Sequence, residues 1–155
     1  MADAARRFES MIKKKETPYF SEEVFESLVE YYLLAGKLDL ALKACNAGLQ
    51  QYQNSLELML SKAQILINRF ELDEATELLD QAAIFNPSDT EIEFLRGIIL
   101  IYSGENAEAL NIFNQILPLV DEKENVFFQM GMALTGLGKI EEAIVIFKKA
   151  VDCET

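Results

Sequence analysis

The sequence predicts an all-α fold in which antiparallel helix pairs stack as a solenoid. Composition is the first indication. The 155 residues include three Pro and seven Gly, and half of them are apolar, a balance that favours helices around a packed core. The second is a 34-residue period, because alanine recurs without interruption at Ala41, Ala75, Ala109 and Ala143. A period of this length in a helix-forming chain predicts one helix pair per repeat.

Other columns of the repeat keep the phase of the alanines. A residue of small or modest size stands twelve positions before each alanine, and a mostly large one stands four positions after it. Spacings of this kind place residues on one face of a helix. We therefore expect close helix crossings at the small residues and at the alanines, where bulk would separate the pair. The columns are Val29, Ala63, Gly97 and Gly131 before the alanines, Cys45, Leu79, Phe113 and Phe147 after them, and Gly36, Phe70, Gly104 and Gly138 five positions before them.

Helix positions follow from these columns. Each second helix begins with a polar, mostly acid-rich stretch, such as residues 71–74, and carboxylates there favour the positive end of the helix dipole. Before the first repeat, Phe8, Met11 and Ile12 predict a short amphipathic helix that ends before Thr17-Pro18, because the residue before a proline resists the helical conformation. We expect it to cap the first repeat. First helices are predicted near 22–35, 56–69, 89–103 and 124–137, and second helices near 38–53, 72–85, 106–117 and 140–153.

These columns resemble the tetratricopeptide repeat over about residues 22–155, and Asn86-Pro87 supplies the closing proline of the second repeat. The resemblance implies a right-handed α-solenoid of antiparallel helix pairs, a TPR-like superhelix. Its domain would cover 21–155, after a leader at 1–20. Two columns depart from the family: Met59 and Glu93 interrupt an aromatic column, and Gln53, Asp121 and Thr155 replace the closing proline. The repeats are expected near 22–55, 56–89, 90–123 and 124–155.

The resemblance also implies a binding groove on the concave face, lined by the first helices. Such a groove would be acidic near Glu23 and apolar further along, so its ligand would be a peptide or protein segment with large apolar side chains and a basic residue. Phe94 is expected to face outward from the core and to anchor that ligand. An alternative stays open, in which some of these side chains pack between neighbouring first helices. The expected groove residues are Glu26, Glu30, Leu60, Gln64, Phe94, Ile98, Ile101, Tyr102, Phe128 and Met132.

A structural role is the second functional class that fits the sequence. The last helix shows Ile144, Phe147 and Val151, whereas a terminal repeat is expected to have a polar outer face. The chain is then either a self-association module, with a homo-oligomer formed through the groove or this open C-terminal face, or the N-terminal fragment of a longer repeat protein.

Several partners are disfavoured by charge and hydropathy. Residues 21–155 contain nine basic and 23 acidic residues, so a nucleic acid would be repelled. No apolar run is long enough to span a membrane and no secretory signal is present, so a cytoplasmic protein is expected. Family members that bind the C-terminal carboxylate of chaperones use Lys, Arg and Asn at positions that here carry other residues, which disfavours that ligand. Those positions are Glu26, Glu30, Ser61, Glu91 and Leu95.

Catalysis is also disfavoured. The chain has no histidine, which removes the common nucleophile–base pairs and the His-bearing zinc sites. Paired acids such as Asp73 and Glu74 begin second helices, where they suit the helix dipole. Cys45 occupies a packing column and is expected to be a buried, inert thiol. We therefore expect no enzyme activity, no cofactor and no catalytic or metal site.

Overall fold

The computed structural model describes residues 1–153 and confirms the all-α repeat fold, with no strand in that range. The bounds of the eight repeat helices lie within two residues of those predicted. Thr155, at the fourth closing-proline position, lies outside the described residues. The helices are α1 Ala2–Lys13, α2 Glu22–Leu34, α3 Leu38–Gln51, α4 Leu56–Asn68, α5 Leu72–Phe85, α6 Thr90–Tyr102, α7 Asn106–Ile116, α8 Glu124–Gly136 and α9 Ile140–Asp152, with a 3₁₀ turn at Leu117–Leu119.

Three of the four first helices begin with a side-chain cap. Ser21, Ser55 and Asp89 each accept a hydrogen bond from the backbone N–H three residues later, at 3.3, 3.4 and 3.1 Å. These caps satisfy one of the amide groups that a helix start leaves without an intrahelical partner. The start of α8 lacks such a cap, since Lys123 precedes it.

The turns between first and second helices share one backbone conformation. Gly36, Gly104 and Gly138 have φ of +73°, +81° and +78°, and Phe70 adopts +58° at the same repeat position. One residue further on, the backbone N–H bonds to the carbonyl five residues earlier, as from Lys37 N to Tyr32 O at 2.8 Å. This is the Schellman ending of a helix, which needs a left-handed residue at this position and therefore favours glycine.

The chain forms two compact units, Met1–Ala82 and Ala83–Thr155. In the first, α1 lies at the position of the predicted leader helix, and its Phe8 is fully buried against Tyr32, with ring centroids 6.1 Å apart. The Tyr32 hydroxyl donates to Glu9 Oε1 at 3.0 Å, and the Ala5 carbonyl lies 3.4 Å from it. An apolar contact and a hydrogen bond thus hold α1 on α2.

The second unit is organised by close crossings within each helix pair. In the α6–α7 pair, the ring of Phe113 fills the space beside Gly97: a Cβ at Gly97 would lie 2.5 Å from Cε1 and Cζ of that ring. Phe147 of α9 packs against Gly131 of α8 in the same way. The buried core around the first crossing is Ala109, Phe113, Ile116, Val126, Met130 and Ala133.

The alanine column is buried in every repeat, as the packing argument predicts: Ala41, Ala75, Ala109 and Ala143 are all at most 2% exposed. Among residues 1–153, no helix is both long enough and apolar enough to cross a membrane.

Candidate functional site

The first helices of unit 1 form an acidic cleft. It occupies ≈ 400 Å³ between α2 and α4 and presents the carboxylates of Glu26, Glu30 and Glu57. None of these three carboxylates forms an ion pair within the described residues. The remaining lining consists of Ser27, Leu33 and Ser61.

The pKa of Glu26 reports on this environment. Partial burial raises the pKa of its carboxyl above the ordinary value, and the negative charges of Glu57, Glu22 and Glu23 raise it further. Both causes disfavour the charged carboxylate when nothing is bound. A cation in the cleft would counteract the repulsion among these carboxylates, so the arrangement suits a basic side chain better than an anion.

Two further predicted residues lie on the same first helix of unit 1. Leu60 of α4 is half-buried, whereas Gln64, one turn later, is exposed. Leu33 and Glu57 also line the cleft. Leu33 holds the same repeat position as the predicted Ile101, whereas Glu57 was not among the predicted groove residues. Glu57 lies 34 residues after Glu23, near which the groove was expected to be acidic, so the repeat period was sufficient to find it.

In unit 2, part of the predicted face belongs to the core. Phe94, Ile98 and Ile101 of α6 are half-buried and pack against the cluster around Phe113. The Phe94 and Phe113 ring centroids lie 5.9 Å apart. Phe94 therefore does not simply face outward, because one side of its ring helps to seal α6 onto α7.

The rest of that face is open. Tyr102, Phe128 and Met132 are large apolar side chains on first helices, and they are 47%, 48% and 42% exposed. The Phe128 ring is held at its inner side by Phe147, with centroids 5.7 Å apart. Unit 2 thus presents apolar surface that is fixed in position by the helix pair beneath it.

Unit 2 has a cleft of its own, of ≈ 290 Å³, which lies where the start of α6 meets the segment before α8. Phe94 reaches it, together with Thr90, Val120 and Asn125. The repeat columns gave no indication of this cleft, because the segment after α7 does not follow the repeat pattern.

The helix α9 differs from expectation at one residue. Ile144 and Val151 are exposed as predicted, but Phe147 is half-buried because it packs on Gly131 and Phe128. Its column makes it a packing residue, so part of its ring is covered by α8 while the rest stays exposed in the apolar stripe. Among residues 1–153, no three His, Cys, Asp or Glu side chains are grouped so that they could hold a metal ion.

Comparison with known proteins agrees with the repeat pattern. The family model of the tetratricopeptide repeat matches residues 125–152, which cover α8 and α9. This chain contains tetratricopeptide repeats. Proteins built from such repeats are interaction scaffolds, and the chain has that architecture.

One curated relative of this repeat protein is the DnaJ homolog subfamily C member 7 homolog of Schizosaccharomyces pombe, which is 32% identical over 94 residues. The match covers 58% of this chain but only 20% of the relative, so this chain spans about a fifth of the relative's length.

Solved structures of MamA have a similar fold. One crystal structure of MamA gives a TM-score of 0.69 at 19% identity and covers 97% of this chain and 86% of MamA. MamA from Desulfovibrio magneticus RS-1, residues 41 to the end, gives a TM-score of 0.66 at 18% identity. That comparison covers 85% of this chain and 75% of the MamA chain. At these identities the likeness concerns the fold alone.

Proposed function

We propose that the chain is a non-enzymatic scaffold that binds an extended segment of another protein through its first helices. The exposure of Tyr102, Phe128 and Met132 carries this proposal. Large apolar side chains cost free energy in water, about 25 cal/mol per Å² of apolar surface, and a partner that covers them recovers it. The cytoplasmic location expected from the sequence stays a prediction.

Charge narrows the ligand class. The cleft of Glu26, Glu30 and Glu57 lacks a basic partner among the described residues, and a bound cation would counteract the repulsion that contributes to the raised pKa of Glu26. We therefore propose a segment with large apolar side chains and at least one Lys or Arg. Apolar anchors would supply most of the affinity, and the charges would set orientation and specificity.

A random peptide library displayed on phage and panned against the full chain tests this proposal without a known partner. Enriched peptides are expected to combine two or more large apolar residues with a Lys or Arg. Fluorescence anisotropy of one enriched peptide then gives the dissociation constant. Phe128→Ala and Met132→Ala should each raise it about tenfold, as for interface anchors. Glu26→Gln should raise it less, and its effect should shrink as salt is added.

Phe85→Ala is the matched control. Phe85 is more exposed than Phe128 and Met132 but lies on a second helix, so its loss should leave binding unchanged. Thermal melts of every variant separate lost binding from lost folding. Equal affinity in the parent, Phe128→Ala and Met132→Ala would place the peptide elsewhere and defeat the proposal.

A further inference from the structure

An apolar stripe runs along the exposed side of α9. Ile140, Ile144 and Val151 are 52%, 48% and 61% exposed, and the half-buried Phe147 stands between Ile144 and Val151 in the sequence of the stripe. Successive members are separated by four, three and four residues. On a helix this spacing places all four side chains on one face.

The spacing of the stripe is the same when it is counted from either end. If a second α9 lay antiparallel against the first, Ile140 would meet the partner's Val151, and Ile144 would meet the partner's Phe147. Alternating separations of three and four residues are those that let two helices interlock side chains along a seam. Every contact of such a pair would occur twice, as a two-fold axis requires.

The charges beside the stripe have the same symmetry. Glu141 follows Ile140 and Lys148 follows Phe147, so both flank the stripe on the same side. Neither forms an ion pair within the described residues. In an antiparallel pair, Glu141 would face the partner's Lys148, and Lys148 would face the partner's Glu141. In a parallel pair, Glu141 and Lys148 would lie on the side of the seam away from their copies and would gain no partner of opposite charge, so the antiparallel arrangement is favoured.

We propose that α9 pairs with the α9 of a second copy of this chain in the antiparallel direction. The two-fold axis would cross the stripe between Ile144 and Phe147, at the height of Val145 and Ile146 along the helix. The contact is one helix of about 20 Å in length, smaller than a standard protein interface. The dimer is therefore a weak and exchanging one, with a dissociation constant on the order of 100 µM. The dimer uses a surface separate from the first helices. A failure of the dimer proposal would therefore leave the peptide-binding proposal untouched, and the reverse also holds.

Sedimentation equilibrium of the full chain at low salt measures this association. The average mass should rise from 17.5 kDa toward twice that value as the concentration increases from about 10 µM to about 1 mM. Glu141→Lys and Lys148→Glu should each weaken association by about tenfold, because each places like charges across the axis twice. An equimolar mixture of the two variants should associate at least as strongly as the parent, since every cross pair is then opposite in sign.

Asp73→Lys is the matched control for Glu141→Lys. Asp73 stands at the same repeat position in the first turn of α5, so its reversal has the same effect on net charge and a similar effect on the helix dipole. It should leave association unchanged. Circular dichroism melts verify that each variant is folded. A parent that stays monomeric at about 1 mM would overturn the proposal, as would a mixture that associates no better than its two components.

Discussion

Gly97 on α6 is the position where one added methyl group tests the helix pairing most directly. In Gly97→Ala the new Cβ would lie 2.5 Å from two ring carbons of Phe113, which is fully buried. Overpacking of this kind costs about 1–3 kcal/mol. The substitution recovers up to about 1 kcal/mol, because alanine is a better helix former than glycine. The net expectation is a loss of about 0–3 kcal/mol in the free energy of unfolding.

Urea unfolding at 25 °C, followed by circular dichroism, measures that loss. The matched compensation comes from the second repeat, where Ala63 and Leu79 occupy the same two positions. Phe113→Leu alone should destabilise by about 1 kcal/mol, but in the Gly97→Ala background it should restore stability. The coupling between the two substitutions should reach about 1–2 kcal/mol. A coupling near zero would show that these two residues do not meet.

Two further predictions concern the backbone and the thiols. Phe70→Gly should stabilise by about 0.5–1 kcal/mol in the same urea assay, because Phe70 adopts φ of +58°, whereas Gly104→Ala at φ of +81° should destabilise by about 1 kcal/mol; the same sign for both would contradict the shared turn. Burial raises the pKa of the Cys45 thiol to about 12, so Ellman's reagent at pH 8 should label the exposed Cys153 quickly and Cys45 only after denaturation; two fast thiols in the folded chain would contradict this burial.

Burial of Cys45 also has a consequence at high pH. The folded state keeps this thiol protonated up to about pH 12, whereas the unfolded chain releases the proton near the ordinary pKa of 9.0. Unfolding therefore releases a proton between these values. The free energy of unfolding should fall as the pH rises through that window.

The helices could be predicted from the sequence because local signals and the repeat agree. Ser21, Ser55 and Asp89 are side-chain caps, and glycine fills three of the four left-handed turn positions. Each of these signals is weak on its own, but its recurrence at the same repeat position makes the helices predictable. The turn at Phe70 forms without the favoured residue, which indicates that the packing of the helices imposes it.

The candidate site was less predictable, because exposure depends on what packs beside each helix. Phe94 and Phe128 hold the same repeat position, yet Phe94 is half-buried while Phe128 is 48% exposed. Phe94 contacts a core that includes residues of α7 and α8. A periodic column reports the face of a helix, but it does not report which neighbour covers that face.

The Gly–Phe crossings of unit 2 have a consequence for how this chain can change. Moving along the repeats, the paired positions hold Val29 with Cys45, Ala63 with Leu79, and then Gly with Phe twice. One side of the crossing shrinks as the other grows, so the distance between the two helices can stay the same. Whole helix pairs are therefore the pieces that can be exchanged between repeats, whereas grafting only the first helix of one repeat onto the second helix of another would produce either a collision or a void.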